Sequence, residues 1–379
     1  MRVDVSSFGR FWGFDLAGQL ERRGLLDQLY TASPPRRVSG VPRRKVRACP
    51  WMGIPPIAAG RLGLRGIESR LGARAVEAFD RWVARRLGPT DVFHSLSSFG
   101  LQSHRFAKER YGALTVCDRG SSHILSQDDL LAEEYARWGV PYRRIPTRIR
   151  ERELEEYSLC DLITVPSTFV YRSFLERGVA AGKLATIPYG VDLELFRPQR
   201  KEDSTFRVIS VGQLSLRKGV PYLLSALCEE RTPRIEVWLV GSVLGEAKSF
   251  LAKYRGRYRY LGVVPRSQLS WYYSQASVCV MASVEDGFGL VQAQAMACGL
   301  PVVATNHTGA EDLFADGVEG LIAPVRDPEA IRQRVLYLYE HPEVREEMGR
   351  AALRRVQALG GWESYGAGVV AAYRAARGR

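Results

Sequence analysis

The chain alternates short, mostly apolar runs with stretches in which apolar residues recur at helical spacing. Residues 1–6, 91–96, 114–117 and 162–165 form such runs in the first half. Residues 206–211, 235–240, 258–262 and 277–282, with Val302 and Val303 beyond them, do so in the second. Bounded by glycine or polar loops, these runs read as buried strands. Residues 15–23, 221–227, the region from 328 onward and 362–377 read as helices, and Ser167 is placed to cap another that runs to residue 177. Strand–helix alternation predicts an α/β architecture with parallel sheets. Residues 33–56, rich in proline and arginine, interrupt the pattern and read as a loop. A chain of 379 residues exceeds one typical hydrophobic core, so two domains are expected.

The most telling chemistry lies where the 277–282 run gives way to a helix. Glu285 and Asp286 stand just before Gly287 and Gly289, where a helix of about ten residues is expected to begin. Free backbone N–H groups at a helix start attract anions, and glycine lets a phosphate approach the main chain. The carboxylates suit sugar hydroxyls, so one loop offers both halves of a nucleotide-sugar site. The plainer alternative is that Asp286 caps the helix while Glu285 sits favourably against its dipole.

The wider pattern bears on that choice. Asp286, Gly287, Phe288, Gly289, Leu290, Ala295, Met296, Ala297, Gly299, Pro301, Val302 and Val303 resemble the signature of the family-four retaining glycosyltransferases. In that signature a second carboxylate follows the first by eight residues; here Gln294 replaces it. Ile187 to Asp192, with Phe196 and Pro198, is similar to the family's interdomain segment. Residues 211–219 resemble its phosphate-binding loop, 262–265 its base-contacting loop and 317–328 the segment that follows. The likeness is strong over residues 160–335 and weak in the first half. It implies the GT-B fold, two Rossmann-like domains facing each other across a deep cleft. Residues 1–192 would bind the acceptor, 193–361 the nucleotide sugar, and the 362–379 helix would pack back on the first domain. The implied reaction moves a sugar from a nucleotide-diphosphate donor, UDP- or GDP-linked, to an acceptor hydroxyl with retention, in glycan or glycoconjugate biosynthesis. No metal and no cofactor beyond the donor are implied. A non-catalytic nucleotide-sugar-binding protein or partner subunit is the alternative, and more distantly an epimerase.

The same resemblance distributes roles. Asp286 and Glu285 would engage donor hydroxyls, while Arg217 and Lys218, in the loop opened by Gly212, would neutralise the diphosphate. The family's usual arginine after that glycine is Gln213 here. Gly287, Phe288, Gly289 and Leu290 would form the anion-binding helix start, Val264 beside Val263 would meet the base, and Gln294 the ribose. Leu269 and Tyr272 line the base pocket or pack in the core. In the first half, Asp118 or His123 would orient the acceptor or assist proton transfer, and Arg119 would bind phosphate, near a strand end where ligands gather. Relatives often carry a histidine at such a place; here it holds Cys117 and Asp118. Alternatively, Asp118, Ser121 and Ser122 cap a turn and His123 packs in the fold. His94 is a second acceptor-side candidate, and Gly9, Arg10 and Gly13 lie in the loop after the first strand. Backbone amides of Thr308 and Gly309 could face the donor, with Glu311 and Asp312 against a helix N-terminus. His307 either touches the sugar or lies in an exposed loop.

Composition narrows the partners. Hydrophobic content of 46% with 10% aromatic residues suits buried sheets. Six cysteines without a close pair argue against a zinc site or a disulfide framework and suit a reducing compartment. No apolar run reaches the roughly 18–20 residues that span a bilayer, and the start shows no signal-peptide pattern, so a cytoplasmic protein is expected. The net charge of +13, with arginines clustered in 35–47, 81–86 and 142–152, points to an anionic partner or to plain compositional bias. A peripheral contact with the inner membrane face or a phosphate-bearing acceptor fits; nucleic acid is disfavoured, since no zinc pattern, aromatic RNA-binding motif or helix-turn-helix is present.

Overall fold

The structure, a computed structural model, describes residues 1–55, 65–229 and 235–378, and the side chains of 65–70 are outside that description. In chain order the first half runs β1 (Val3–Ser6), α1 (Trp12–Arg22), β2 (Leu26–Thr31), β3 (Val46–Ala48), α2 (Arg65–Ala84), β4 (Val92–Leu96) and α3 (Leu101–Tyr111). It continues with β5 (Leu114–Asp118), α4 (Ile124–Arg137), α5 (Thr147–Leu159), β6 (Leu162–Val165), α6 (Thr168–Leu175) and β7 (Leu184–Thr186). The second half begins with β8 (Arg207–Val211), α7 (Val220–Cys228), β9 (Glu236–Val240), α8 (Lys248–Lys253), β10 (Arg259–Gly262), α9 (Arg266–Gln275) and β11 (Val278–Met281). Then follow α10 (Leu290–Ala297), β12 (Val302–Thr305), α11 (Ala310–Leu313), β13 (Gly320–Ala323), α12 (Pro328–Glu340), α13 (Pro342–Ala358) and α14 (Gly361–Arg377).

Two parallel sheets result, ordered β3-β2-β1-β4-β5-β6-β7 and β10-β9-β8-β11-β12-β13. The fold is α/β and GT-B, with a Rossmann-like sheet in each lobe. Central strands such as β1, β4, β5 and β11 are buried along their whole length, because helices cover both faces of a parallel sheet. This explains why they read as apolar runs rather than alternating ones. The short strands β3 and β7, three residues each, are too brief to show any period and lie outside the apolar runs of the sequence.

Two boundaries differ from expectation. α1 starts at Trp12 rather than near residue 15, so Gly13 belongs to a helical turn and not to a loop. Burial of Phe14, Leu16, Ala17 and Leu20 supplies the reason, since the apolar stripe reaches back to the first turn. α10 has eight residues and opens at Leu290. α14 lies against the first lobe: Arg23 donates to the carbonyl of Glu363 (2.8 Å), and the Tyr373 hydroxyl meets His94 Nδ1 (2.7 Å). Of the 33–56 loop, residue 56 lies outside the described residues.

Candidate active site

In an open parallel sheet, ligands gather where the strand order reverses, outside the carboxyl ends of the strands. In the second lobe that point lies between β8 and β11. The loops leaving those strands, 212–219 and 282–289, therefore flank one crevice. Gly219 locks them together: its φ is +66°, and a Cβ there would lie 1.8 Å from the Ala282 carbonyl oxygen. Only glycine fits both constraints.

Four charged side chains meet in this crevice. Arg217 Nε donates to Glu285 Oε2 (2.7 Å), and its Nη2 reaches Ser121 Oγ (3.2 Å) across the lobes. Lys218 pairs with Asp286 Oδ2. The other Asp286 oxygen accepts from the backbone N–H of Gly289 (3.1 Å) and, more weakly, of Phe288 (3.4 Å). Asp286 thus braces the turn that leads into α10 and pairs with Lys218 at once, without capping the helix's first-turn amides. Glu285 is fully buried, and Ser122 donates to its Oε1 through backbone N–H (3.0 Å) and hydroxyl (2.9 Å). Gln127 donates to its Oε2 (3.1 Å). Burial pushes the Glu285 carboxyl up, but Arg217 and the Ser122 and Gln127 bonds outweigh it and hold the group down to about 2. Both Glu285 oxygens are spent on protein donors, so it fixes Arg217 rather than offering itself to a sugar. Arg217 and Lys218 keep side-chain exposures of 34% and 28%, which leaves the two cations reachable by an anion.

The lobes touch at this loop. A Cβ on Gly287 would come within 2.0 Å of the Gly120 carbonyl oxygen, and Ser167 Oγ donates to the Gly287 carbonyl (2.5 Å). Phe288 is buried with its ring edge-on to Tyr189 (5.4 Å between centroids).

The first-lobe candidates behave differently. Asp118 is buried at the end of β5 and accepts from Trp12 Nε1 (2.6 Å) and Tyr365 OH (3.1 Å). His94 Nε2 (3.3 Å) and Tyr189 OH (3.5 Å) complete its shell. Arg119 forks onto Glu153 (2.8 and 3.0 Å) and donates to Gln127 Oε1 (2.8 Å), so its guanidinium is committed within the fold instead of being free for phosphate. His123 is the N-cap of α4, its Nδ1 accepting from the Leu125 N–H (3.3 Å), between the rings of Tyr157 and Phe174. Burial first, then Arg119 and Arg177, pull His123 down to about 4. It stands neutral and packed, the plainer of its two readings.

Gly9 accepts from Ser7 Oγ through its carbonyl (2.8 Å), while exposed Arg10 borders a cavity of about 480 Å³ shared with Asp15, Asp192 and Arg266. Gly212 donates to the Val240 carbonyl (2.9 Å) beneath the loop. Val264 is half-buried beside Val263, which is 73% exposed. Gln294 Oε1 accepts from Tyr273 OH (3.2 Å), so its amide is oriented by the core. Leu290 is half-buried at the start of α10. Glu311 and Asp312 lie in the first turn of α11, as expected, and also pair across the lobes. Asp312 accepts from Thr168 N–H and Oγ1 (2.8 and 2.7 Å), and Glu311 pairs with Arg172 (3.2 Å). Both join the lobes, and Thr308 Oγ1 accepts from the Ala310 N–H at the same helix start (3.2 Å). His307 stacks on Phe169 (5.1 Å), another contact between lobes.

Ser122, Gln127, Ser167 and Trp12 were absent from the sequence-based site roles. Their parts depend on groups 106–163 residues away in sequence, and no local spacing encodes them. Among the described residues no group of three His, Cys, Asp or Glu side chains could hold a metal ion.

Residues 192–355 match the family model described as glycosyl transferases group 1. The match is confined to the second lobe, which holds the 212–219 and 282–289 loops. Over its whole length it is 26% identical to a D-inositol 3-phosphate glycosyltransferase of Kribbella flavida, covering 96% of this chain and 89% of that protein. The counterpart from Paenarthrobacter aurescens is 32% identical over 52% of this chain and 53% of its own length. Among solved structures, sucrose-phosphate synthase from Thermosynechococcus elongatus matches with a TM-score of 0.73 at 21% identity, covering 99% of this chain and 98% of that one. Anabaena HepE in complex with UDP and glucose matches with a TM-score of 0.70 at 16% identity, covering 99% and 100%. These likenesses carry the two-lobed fold, and the matched model and the names of the relatives point to the class of enzyme, a transferase of glycosyl groups.

Proposed function

We propose that this protein is a group 1 glycosyl transferase that takes a nucleotide-diphosphate sugar as donor and passes the sugar to an acceptor hydroxyl with retention, without needing a metal. The observation that carries this is the pair of reachable cations, Arg217 and Lys218, held by Glu285 and Asp286 beside the start of α10. An incoming diphosphate would take over the cations, leaving Glu285 satisfied by Ser122 and Gln127 and freeing an Asp286 oxygen for a sugar hydroxyl. As the bond between the anomeric carbon and the phosphate oxygen breaks, Arg217, Lys218 and the α10 amides stabilise the charge that develops. The acceptor oxygen then bonds the same face of that carbon, and its proton passes to the departing phosphate oxygen. The close approach of Gly287 to Gly120 would help to keep water from the reacting centre. The complexes of HepE with UDP and UDP-glucose support a uridine donor, and the names of the curated relatives put inositol 3-phosphate first among acceptors to screen.

The saturation of Asp118 and Glu285 by protein donors favours one rival, a nucleotide-sugar-binding protein without turnover. Purified protein incubated with a panel of UDP- and GDP-sugars separates the two. Nucleoside diphosphate released with donor consumed supports the transferase; tight binding with no release selects the rival.

A further inference from the structure

Away from the cleft, the outer rim of the first sheet carries the most one-sided charge of the chain. No carboxylate occurs between Asp27 and Glu68, whereas Arg36, Arg37, Arg43, Arg44, Lys45 and Arg47 all fall there. β3 is the edge strand, so this segment forms the flank of the lobe. Lys45 is spent on Glu21 (2.6 Å), but the five arginines are exposed and in no ion pair among the described residues. The turn after α2 adds Arg86, whose guanidinium lies over the Trp82 ring (4.7 Å).

Apolar groups stand amid this charge. Trp51 is 57% exposed and Ile54 62%, in a chain whose other indoles are largely covered. Arg47, Trp51, Trp82 and Arg86 together border a groove of about 540 Å³ with Val46 and Ala48, and none of its lining residues is acidic. Indoles favour the headgroup level of a bilayer, and arginines beside them meet lipid phosphates. An apolar insertion combined with a polybasic patch supplies the two signals that stable peripheral binding requires.

We propose that this flank is a docking surface for an anionic lipid bilayer, with Trp51 and Ile54 entering the interface and Arg43, Arg44, Arg47 and Arg86 on the headgroups. A polynucleotide would use the charge but has no use for the exposed Ile54 side chain, which offers neither a hydrogen-bonding group nor a stacking face. None of these residues belongs to the crevice between the lobes, so the proposal stands independently of the donor reading.

The test is co-sedimentation of the full chain with phosphatidylglycerol vesicles and with phosphatidylcholine vesicles. Binding to the first that falls with added salt, and little to the second, is expected. The variant Arg43→Gln/Arg44→Gln/Arg47→Gln/Arg86→Gln should lose about tenfold or more in vesicle affinity. Trp51→Ser/Ile54→Ser should leave a weaker, fully salt-reversible association. Circular dichroism and the thermal midpoint, unchanged in both variants, show that the fold persists. Equal binding to neutral vesicles, wild-type affinity in the charge variant, or retention on a polynucleotide with none on either vesicle would overturn the proposal.

Discussion

The loop pair of the second lobe and the strand end of the first hold similar residue types and put them to opposite use. At 217–218 and 285–286, two cations and two carboxylates lie at the mouth of a crevice, and three of the four keep contact with solvent. At 118–123, an aspartate, an arginine and a histidine are buried, each held by partners within the protein. An ion pair that remains partly wet can be exchanged for a ligand at modest cost, whereas a buried network loses its partners' satisfaction if any member leaves. Chemistry-bearing residues therefore mark a site only where their partners can be replaced.

The sharpest way to break this contrast is Asp118→Ala. Removing the acceptor strands the Trp12 indole N–H and the Tyr365 hydroxyl in the interior, and a loss of about 3–5 kcal/mol in denaturant unfolding is expected. Normal stability with turnover abolished would instead return Asp118 to the chemistry. Next in size, Asp286→Ala and Lys218→Ala should each lower nucleoside diphosphate release by about 10²–10³-fold with circular dichroism unchanged. Unaffected turnover would dismiss the crevice assignment.

His123 gives a pH test. Its folded value near 4 lies below the ordinary 6.5, so the fold prefers it neutral. Stability should fall as pH drops from 6.5 toward 4, by at most about 3 kcal/mol, and His123→Gln should flatten that part of the profile. Glu285 runs the other way: its value near 2 lies below 4.5, so its contribution is complete above pH 4.5 and is lost only as pH falls toward 2. The smallest effect belongs to Arg172→Ala. Its pair with Glu311 is exposed, and thermal unfolding should register about 0.5 kcal/mol or less.

Much of the fold was legible because parallel strands are covered on both faces and so appear as unbroken apolar runs. The 206–211 and 277–282 runs fall on β8 and β11, and the glycines and charges that follow them fall on the crevice loops. That much is local: dihedral demands at Gly219 and helix starts after short loops are written in neighbouring residues. The role of Glu285 was not legible, because nothing near it names Ser122 or Gln127 as its donors. Nor could Asp118 be sorted from Asp286 by residue type, since the aromatic shell of Trp12, Tyr189 and Tyr365 is gathered from three distant parts of the chain.

Order along the chain was enough to place most of the central strands, several helices and the two loops of the crevice, for each depends on residues within a turn or two. Which carboxylates are buried and which remain exchangeable was settled by packing of the lobes and the return of α14. Burial and hydrogen bonding depend on atoms that meet only after folding, and they decide whether a charge works as a ligand or as a strut.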